Sequence, residues 1–308
     1  VSDDHSKELV TDENFNEYAY LAANPDVAAA RVSPRLHFNL CGRAEGRSQF
    51  KNLPKNRGKK FLRFKHVLKS PFDKDPTETF PIITSEQHFD IGDYVNESAN
   101  PGYGGFDHEL ATNPEKLYLD IGCGFREKMF DNCLYLEVYP SRSADLIVAP
   151  DCTYPIRDGV LDGIGCFAVL EHTRKPWLVI QEMHRMLKPG GRVWIDLPFL
   201  QPVHGYPSHF FNATREGLTS VFQDSGFRID SAETLINQTP AYTIWWILAV
   251  MALRIEDAEL RTEFEEMTVK ELIALDQQSP TWWKFLNAIS PSAMSELAAG
   301  NFLIATKT

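Results

Sequence analysis

From residue 116 onward the chain alternates short apolar runs with amphipathic stretches. Residues 117–120 form a compact apolar run closing on Gly122, and further runs follow at 134–138, 145–149 and 163–170. Apolar runs this short, bounded by Gly, Pro and Asp, predict strands buried on both faces. The stretch 176–187 is amphipathic and stops at Lys188-Pro189-Gly190-Gly191, the punctuation that ends a helix. Beyond it the pattern predicts a strand at 192–197 and a helix at 214–225 closed by Gly226. It then predicts a strand at 227–231, a mostly helical insertion at about 242–297 and a last strand at 302–306. Strands that alternate with helices predict an α/β fold built on a parallel sheet with helices on both faces.

The first half of the chain has a different character. In residues 1–50, Phe15, Tyr18, Leu21, Val27 and Ala30 sit near helical spacing, and Asn24-Pro25-Asp26 reads as a break followed by a new helix. This predicts a small helical module. Residues 51–113 read as a basic linker and a loop-rich segment. The eight cations Lys51, Lys55, Arg57, Lys59, Lys60, Arg63, Lys65 and Lys69 stand together with no acid among them. A solvated face is the ordinary reading of such a run, and an arm for an anionic glycan, headgroup or partner is the sharper one. Pro71, Pro76, Pro81 and the Pro101–Gly105 cluster imply turns, with Tyr103 as a lid candidate. Residues 114–308 form the third region.

Charge and cysteine content narrow the function classes. A formal net charge of -11 argues against a nucleic acid partner, whose phosphates need a surplus of Lys and Arg on one face. Cys41, Cys123, Cys133, Cys152 and Cys166 are odd in number and form no CxxC pair, which implies free thiols and a cytoplasmic setting. The opening residues are polar and acidic, so no secretory signal is expected, and a start at Val1 leaves room for a longer chain upstream. The longest apolar run, 244–253, is too short for a membrane span.

In an open α/β sheet, ligands bind beyond the carboxyl ends of the strands. The first predicted strand delivers Asp120, Gly122 and Gly124 there, the second Glu137, the third Asp151 with Cys152, and the fourth Glu171 and His172. The fifth runs into Pro198, with His204 and His209 just after it. Glycines let a ligand approach the backbone, and a strand-end acid suits two ribose hydroxyls. A glycine turn alone fits several nucleotides. The third glycine of the dinucleotide fingerprint is missing, however, and Asp120 beside the turn would repel a pyrophosphate while suiting a cationic sulfonium.

LYLDIGCGF at 117–125, LYLEVYP, APDCTYPI, LDGIGCFAVLEH, MHRMLKPGGRVWIDLPF and the final AAGNFLIATK together resemble the successive motifs of class I S-adenosylmethionine (SAM)-dependent methyltransferases. The resemblance covers about 116–235 plus the last strand. It implies a Rossmann-like sheet, mostly parallel with the last strand antiparallel, carrying SAM. By position it places Asp120, Gly122 and Gly124 at the methionine end, Glu137 at the ribose, and Asp151 with Cys152 at the adenine; Glu171 joins this set. Arg126 replaces the third motif glycine, and the short run to Glu137 implies that the first two helices are trimmed or missing. The segment PFLQPVHGYPSHFFNATREGLTSVFQDSGF resembles a bacterial group linked to cell-surface polysaccharide assembly. YLAANPDVAAA and HFNLCGRAEGR resemble a short helical module of glycan-related proteins, which implies a protein partner for the amino-terminal region.

The expected reaction is O-methylation of a sugar hydroxyl on a glycan or glycan precursor. A small-molecule O- or N-methyltransferase of secondary metabolism and a non-catalytic SAM-binding scaffold stand as alternatives. An alcohol acceptor needs a proton acceptor, and the candidates are His204, His172 and His209, in that order. Glu171 could orient His172 or cap the next helix. No metal is expected, because Asp196, His204 and His209 match no known ligand spacing. Tyr242, Trp245, Trp246, Trp282 and Trp283 read as helical core or as a platform for a sugar ring.

Overall fold

The computed structural model describes residues 7–24, 26–27, 30, 32–50, 57–75, 77–84, 105–126, 128–205, 208–276, 278–301 and 303–304. The chain divides into two units, Val1–Leu170 with Lys175–Asp196 and Glu171–Arg174 with Leu197–Thr308.

In the first unit, β1 (Lys7–Leu9) pairs antiparallel with β2 (Ser48–Phe50), and α1 (Glu17–Ala23) lies between them in sequence. The region 1–50 is therefore not purely helical as expected. Three-residue strands are too short to print an alternation in the sequence. Val10, Tyr20, Val27 and Phe38 form a core of their own here. The Asn24 amide donates to the carbonyls of Tyr20 and Ser48, tying the helix to the strand.

The basic stretch is not a solvated linker where it is described. Arg57 and Lys60 are buried, and α2 (Gly58–Phe64) also buries Phe61 and Phe64. Lys60 Nζ lies 2.6 Å from Asp145 Oδ2, and Arg57 Nη1 lies 3.5 Å from Asp145 Oδ1. The missing acid thus comes from far along the chain. The segment then contributes β3 (Ile82–Ile83), which pairs parallel with β6 (Leu146–Ile147). Residues 51–56 and 85–104, including the lid candidate Tyr103, lie outside the described residues.

After α3 (Phe106–Thr112) come β4 (Tyr118–Ile121), β5 (Cys133–Glu137), β6, β7 (Leu161–Phe167), α4 (Pro176–Met186) and β8 (Leu187–Asp196). The sheet order is β3-β6-β5-β4-β7-β8 with every pairing parallel, a Rossmann-like arrangement. Strand order runs one way from β4 to β6 and the other way from β7 to β8. The reversal point is the carboxyl end of β4, where such sheets bind ligands. Phe106 packs on Tyr118, Phe167 and Trp194, joining α3 to the sheet. Among the described residues no helix follows β4 or β5, as the short spacing to Glu137 implies.

In the second unit, α5 (Arg215–Asp224) starts on Thr214, whose side chain accepts from the Gly217 N–H at 3.0 Å. The expected strand at 227–231 does not form. The Phe227 N–H instead donates to the Phe222 carbonyl beside Gly226 at φ +90°, and the two phenyl rings pack in a tilted pair with centroids 5.3 Å apart. A helix-ending motif has used the residue that would have begun the strand. Five helices follow: α6 (Pro240–Arg254), α7 (Ala258–Glu266), α8 (Val269–Ala274), α9 (Pro280–Leu286) and α10 (Pro291–Glu296). Met251, Ile255, Phe264, Phe285 and Ile289 are their common core. Of the expected last strand, Leu303 and Ile304 are exposed and outside any sheet, while Phe302 and 305–308 lie outside the described residues. Among the described residues no helix is long and apolar enough to cross a membrane.

Candidate cofactor and acceptor sites

The turn after β4 is built from what its neighbours allow. Gly122 has φ +65°, and a Cβ on it would stand 2.3 Å from Val169 Cγ2, so only glycine fits. Glu137, the last residue of β5, accepts the Gly124 N–H at 2.9 Å through Oε1 and its neighbour Val138's N–H at 2.8 Å through Oε2. Burial pushes its carboxyl up to about 7 despite those two donors. Ser141 Oγ donates to the Gly124 carbonyl, and Ser143 Oγ accepts the Arg126 N–H at 2.8 Å. Two serines on the 138–144 loop thus fasten the glycine turn where a helix would otherwise pack.

Asp120 is buried in β4 and is gripped by Arg126, Nε to Oδ2 at 2.7 Å and Nη2 to Oδ1 at 3.1 Å. Burial pushes the Asp120 carboxyl up while Arg126 pulls it back, and Arg126 stays protonated beside it. The carboxylate expected to meet a ligand directly has a guanidinium as its nearest partner. In the sequence motif Arg126 stands only as a lost glycine; its place six residues after Asp120 is the signal for the pair. Asp151 is exposed, at φ +57°, and Cys152 is half-buried with its thiol pushed up by burial. Asp196 ends β8, where its carbonyl accepts the Ala168 N–H at 3.0 Å.

Glu171 falls in the second unit and is wholly buried. Its Oε1 lies 3.9 Å from His172 Nε2. His172, His204 and His209 form one cluster, with ring centroids 5.5, 5.6 and 4.4 Å apart in the pairs 172–204, 172–209 and 204–209. His172 Nδ1 donates to the Ser208 carbonyl and His204 Nδ1 to the Pro202 carbonyl, both at 2.8 Å. A carbonyl can only accept, so each neutral ring carries its lone pair on Nε2. His209 Nδ1 accepts the His204 N–H at 3.2 Å, and its Nε2 donates to Asn212 Oδ1 at 2.8 Å. Both nitrogens of His209 therefore hold the loop. Burial pulls His172 and His204 below the ordinary imidazole range.

Gly205, at φ +77°, backs this cluster: a Cβ there would lie 2.3 Å from His172 Cε1. The Trp246 ring packs 4.9 Å from His204 and 5.6 Å from Tyr242. Trp282 packs on the helical core, whereas Trp245 and Trp283 are exposed. The Val203 N–H donates to the Glu296 carbonyl at 3.0 Å, tying the histidine loop to α10.

Residues 119–195 match the family model described as Methyltransferase domain. That segment is a SAM-dependent methyltransferase domain. It spans β4 to β8 and so contains the glycine turn, Glu137 and the reversal point of the sheet. No curated protein matches the chain. Similar solved structures include the complex between the Haloferax volcanii Trm112 methyltransferase activator and a methyltransferase, at 15% identity over 42% of this chain and 69% of that one, TM-score 0.34. Phosphoethanolamine N-methyltransferase 2 of Haemonchus contortus, in complex with S-adenosyl-L-methionine, is similar at 17% identity over 63% of this chain, TM-score 0.32. The present chain covers 49% of that enzyme, about half its length. YcgJ of Bacillus subtilis is similar at 14% identity over 51% and 88% of the two chains, TM-score 0.31.

Proposed function

We propose that the chain transfers the methyl group of SAM to a sugar hydroxyl on a glycan or glycan precursor, with residues 1–50 recruiting a protein partner. Its regions in this reading are 1–50, 51–113 and 114–308, the last with a helical insertion at about 242–297. The residues at the end of β4 and β5 fit the cofactor. Gly122 and Gly124 leave room for it, Glu137 accepts its ribose hydroxyls, and Asp151 with Cys152 meets the adenine. Asp120 and Arg126 together present one negative and one positive group, which suits the amino and carboxylate ends of a methionine moiety. SAM supplies an electrophilic methyl on a sulfonium, so the protein has to orient the acceptor and take one proton.

The observation that carries the acceptor assignment is the cluster of two neutral imidazoles with Nε2 lone pairs beside the Trp246 ring. His204 Nε2 takes the hydroxyl proton, His172 stands second to it, and His209 positions the loop. The Trp246 ring, with Tyr242 edge-on beside it, offers an apolar face on which a sugar ring stacks. The test is calorimetric titration with SAM, then incubation of labelled SAM with nucleotide sugars or glycan extracts. His204→Ala is expected to keep SAM affinity and lose turnover. Transfer to small aromatic or amine acceptors in place of sugars would favour a role in secondary metabolism. The Asp120–Arg126 pair favours a second reading, a SAM-binding scaffold, and binding without transfer to any acceptor would establish it.

A further inference from the structure

Glu171, His172 and His204 bring one carboxylate oxygen and two ring nitrogens within 4.8 Å of one another. We infer that these three residues form a binding site for a divalent first-row transition-metal ion of the zinc type. The inference rests on the cluster used in the proposed function, and it changes the task of His204 from taking a proton to holding the ion.

Donor chemistry selects the ion. Two imidazoles and one carboxylate are the ligands of catalytic zinc and of related iron and cobalt sites, whereas magnesium and calcium take oxygen. His172 Nε2 lies 3.9 Å from Glu171 Oε1. Bonds of about 2.0–2.2 Å at tetrahedral angles put ligand atoms roughly 3.3 Å apart, so side-chain rotations that shift these atoms by about 1 Å complete the site. Metal-bound histidines almost always donate the other ring N–H to a carbonyl or carboxylate. Both rings already do so, to Ser208 and Pro202, which leaves both Nε2 lone pairs available to an ion.

The arrangement also fixes the ligand number. His209 has both nitrogens engaged, with the His204 N–H and with Asn212, and is not a ligand. Three protein ligands leave one position open for an oxygen, the pattern of catalytic rather than structural zinc. A dication favours the carboxylate form of a buried Glu171, and a hydroxyl bound at the open position would ionise nearer neutral pH. The absence of a Cβ at Gly205 is what lets the loop lie against His172.

The full chain, stripped with chelator, should bind one Co2+ with visible d–d absorption bands of a nitrogen–oxygen site and no intense near-ultraviolet thiolate band. Zn2+ should compete for it and Mg2+ should not. His172→Ala and Glu171→Gln should each weaken Zn2+ binding by about a hundredfold or more. Cys41→Ser should leave it unchanged, which separates this site from the other trio within ligand distance among the described residues, His37, Cys41 and Glu45. A wild-type protein without Co2+ bands overturns the inference whatever the variants do. So does a thiolate band, or binding lost in Cys41→Ser and kept in His172→Ala. SAM titration of the same protein separates the two claims: SAM bound with no ion overturns only the metal site. Ion bound with no SAM overturns only the methyl-transfer reading.

Discussion

SAM binding should be linked to one proton through Glu137. The carboxyl is buried at the end of β5 and pushed up to about 7, so the ligand-free protein holds a proton there through the mildly acidic range. A ribose donating hydroxyls to the carboxylate favours the ionised form and returns the bound-state value toward the ordinary range near 4. With a free-state value of about 7, the dissociation constant rises as the inverse of the ionised fraction, from about (1 + 0.1) at pH 8 to about (1 + 10) at pH 6. That is a tenfold weakening, or about 1.4 kcal/mol, with roughly half a proton released at pH 7. The stability of the free protein runs the opposite way. A folded-state value above the unfolded one means that the native state binds more protons between about 4.5 and 7, so stability falls as pH rises through that window and is level above it. Calorimetry in buffers of different ionisation enthalpy measures both the affinity and the proton. Adenosine, which has the ribose but no amino group, should show the same slope and so excludes titration of the methionine end. Glu137→Gln should flatten it. An affinity that is unchanged from pH 8 to pH 6, with heats independent of buffer, would refute the assignment of Glu137 to the ribose.

Three substitutions test the remaining geometry. Gly205→Ala places a Cβ 2.3 Å from His172 Cε1 in a left-handed backbone, so turnover should fall on the order of a hundredfold while SAM affinity holds; normal turnover would show that the loop need not sit there. Gly122→Ala meets Val169 at 2.3 Å and should abolish SAM binding in a protein of native circular dichroism, and ordinary SAM affinity would remove the glycine turn from the site. Asp145→Ala strands Arg57 and Lys60 as buried cations, at a cost of about 3–5 kcal/mol and a fall in melting temperature on the order of 10 °C. A change under about 2 °C would mean that these cations reach water after all.

What the sequence made legible was whatever is local. β4, β5, β7 and α4 follow from apolar runs and from the Lys-Pro-Gly-Gly stop, and Asp120, Gly122, Gly124 and Glu137 fall at strand ends as the pattern requires. What it hid was partner choice over distance. Lys60 and Asp145 are 85 positions apart, so eight cations without an acid read as a solvated run although two of them are buried on one carboxylate. Phe227 carries strand propensity, but its contact with Phe222 across Gly226 prevailed, because a helix end leaves carbonyls that some N–H must satisfy.

The case of Arg126 is different, since both members of its pair lie within one motif. A glycine at that position would let a helix begin after β4. Arginine there, together with the short run to Glu137, leaves no helix, and the loop at 138–144 takes over through Ser141 and Ser143. The turn is held from the side, which frees the Arg126 side chain to fold back onto Asp120. Losing the glycine and losing the helix are thus one structural event, and the guanidinium it delivers supplies a positive group beside Asp120. Replacing Arg126 by glycine would restore the family letter without the helix that gives it meaning. That change should leave Asp120 as an unpaired buried carboxylate, and SAM affinity should fall in Arg126→Gly rather than rise.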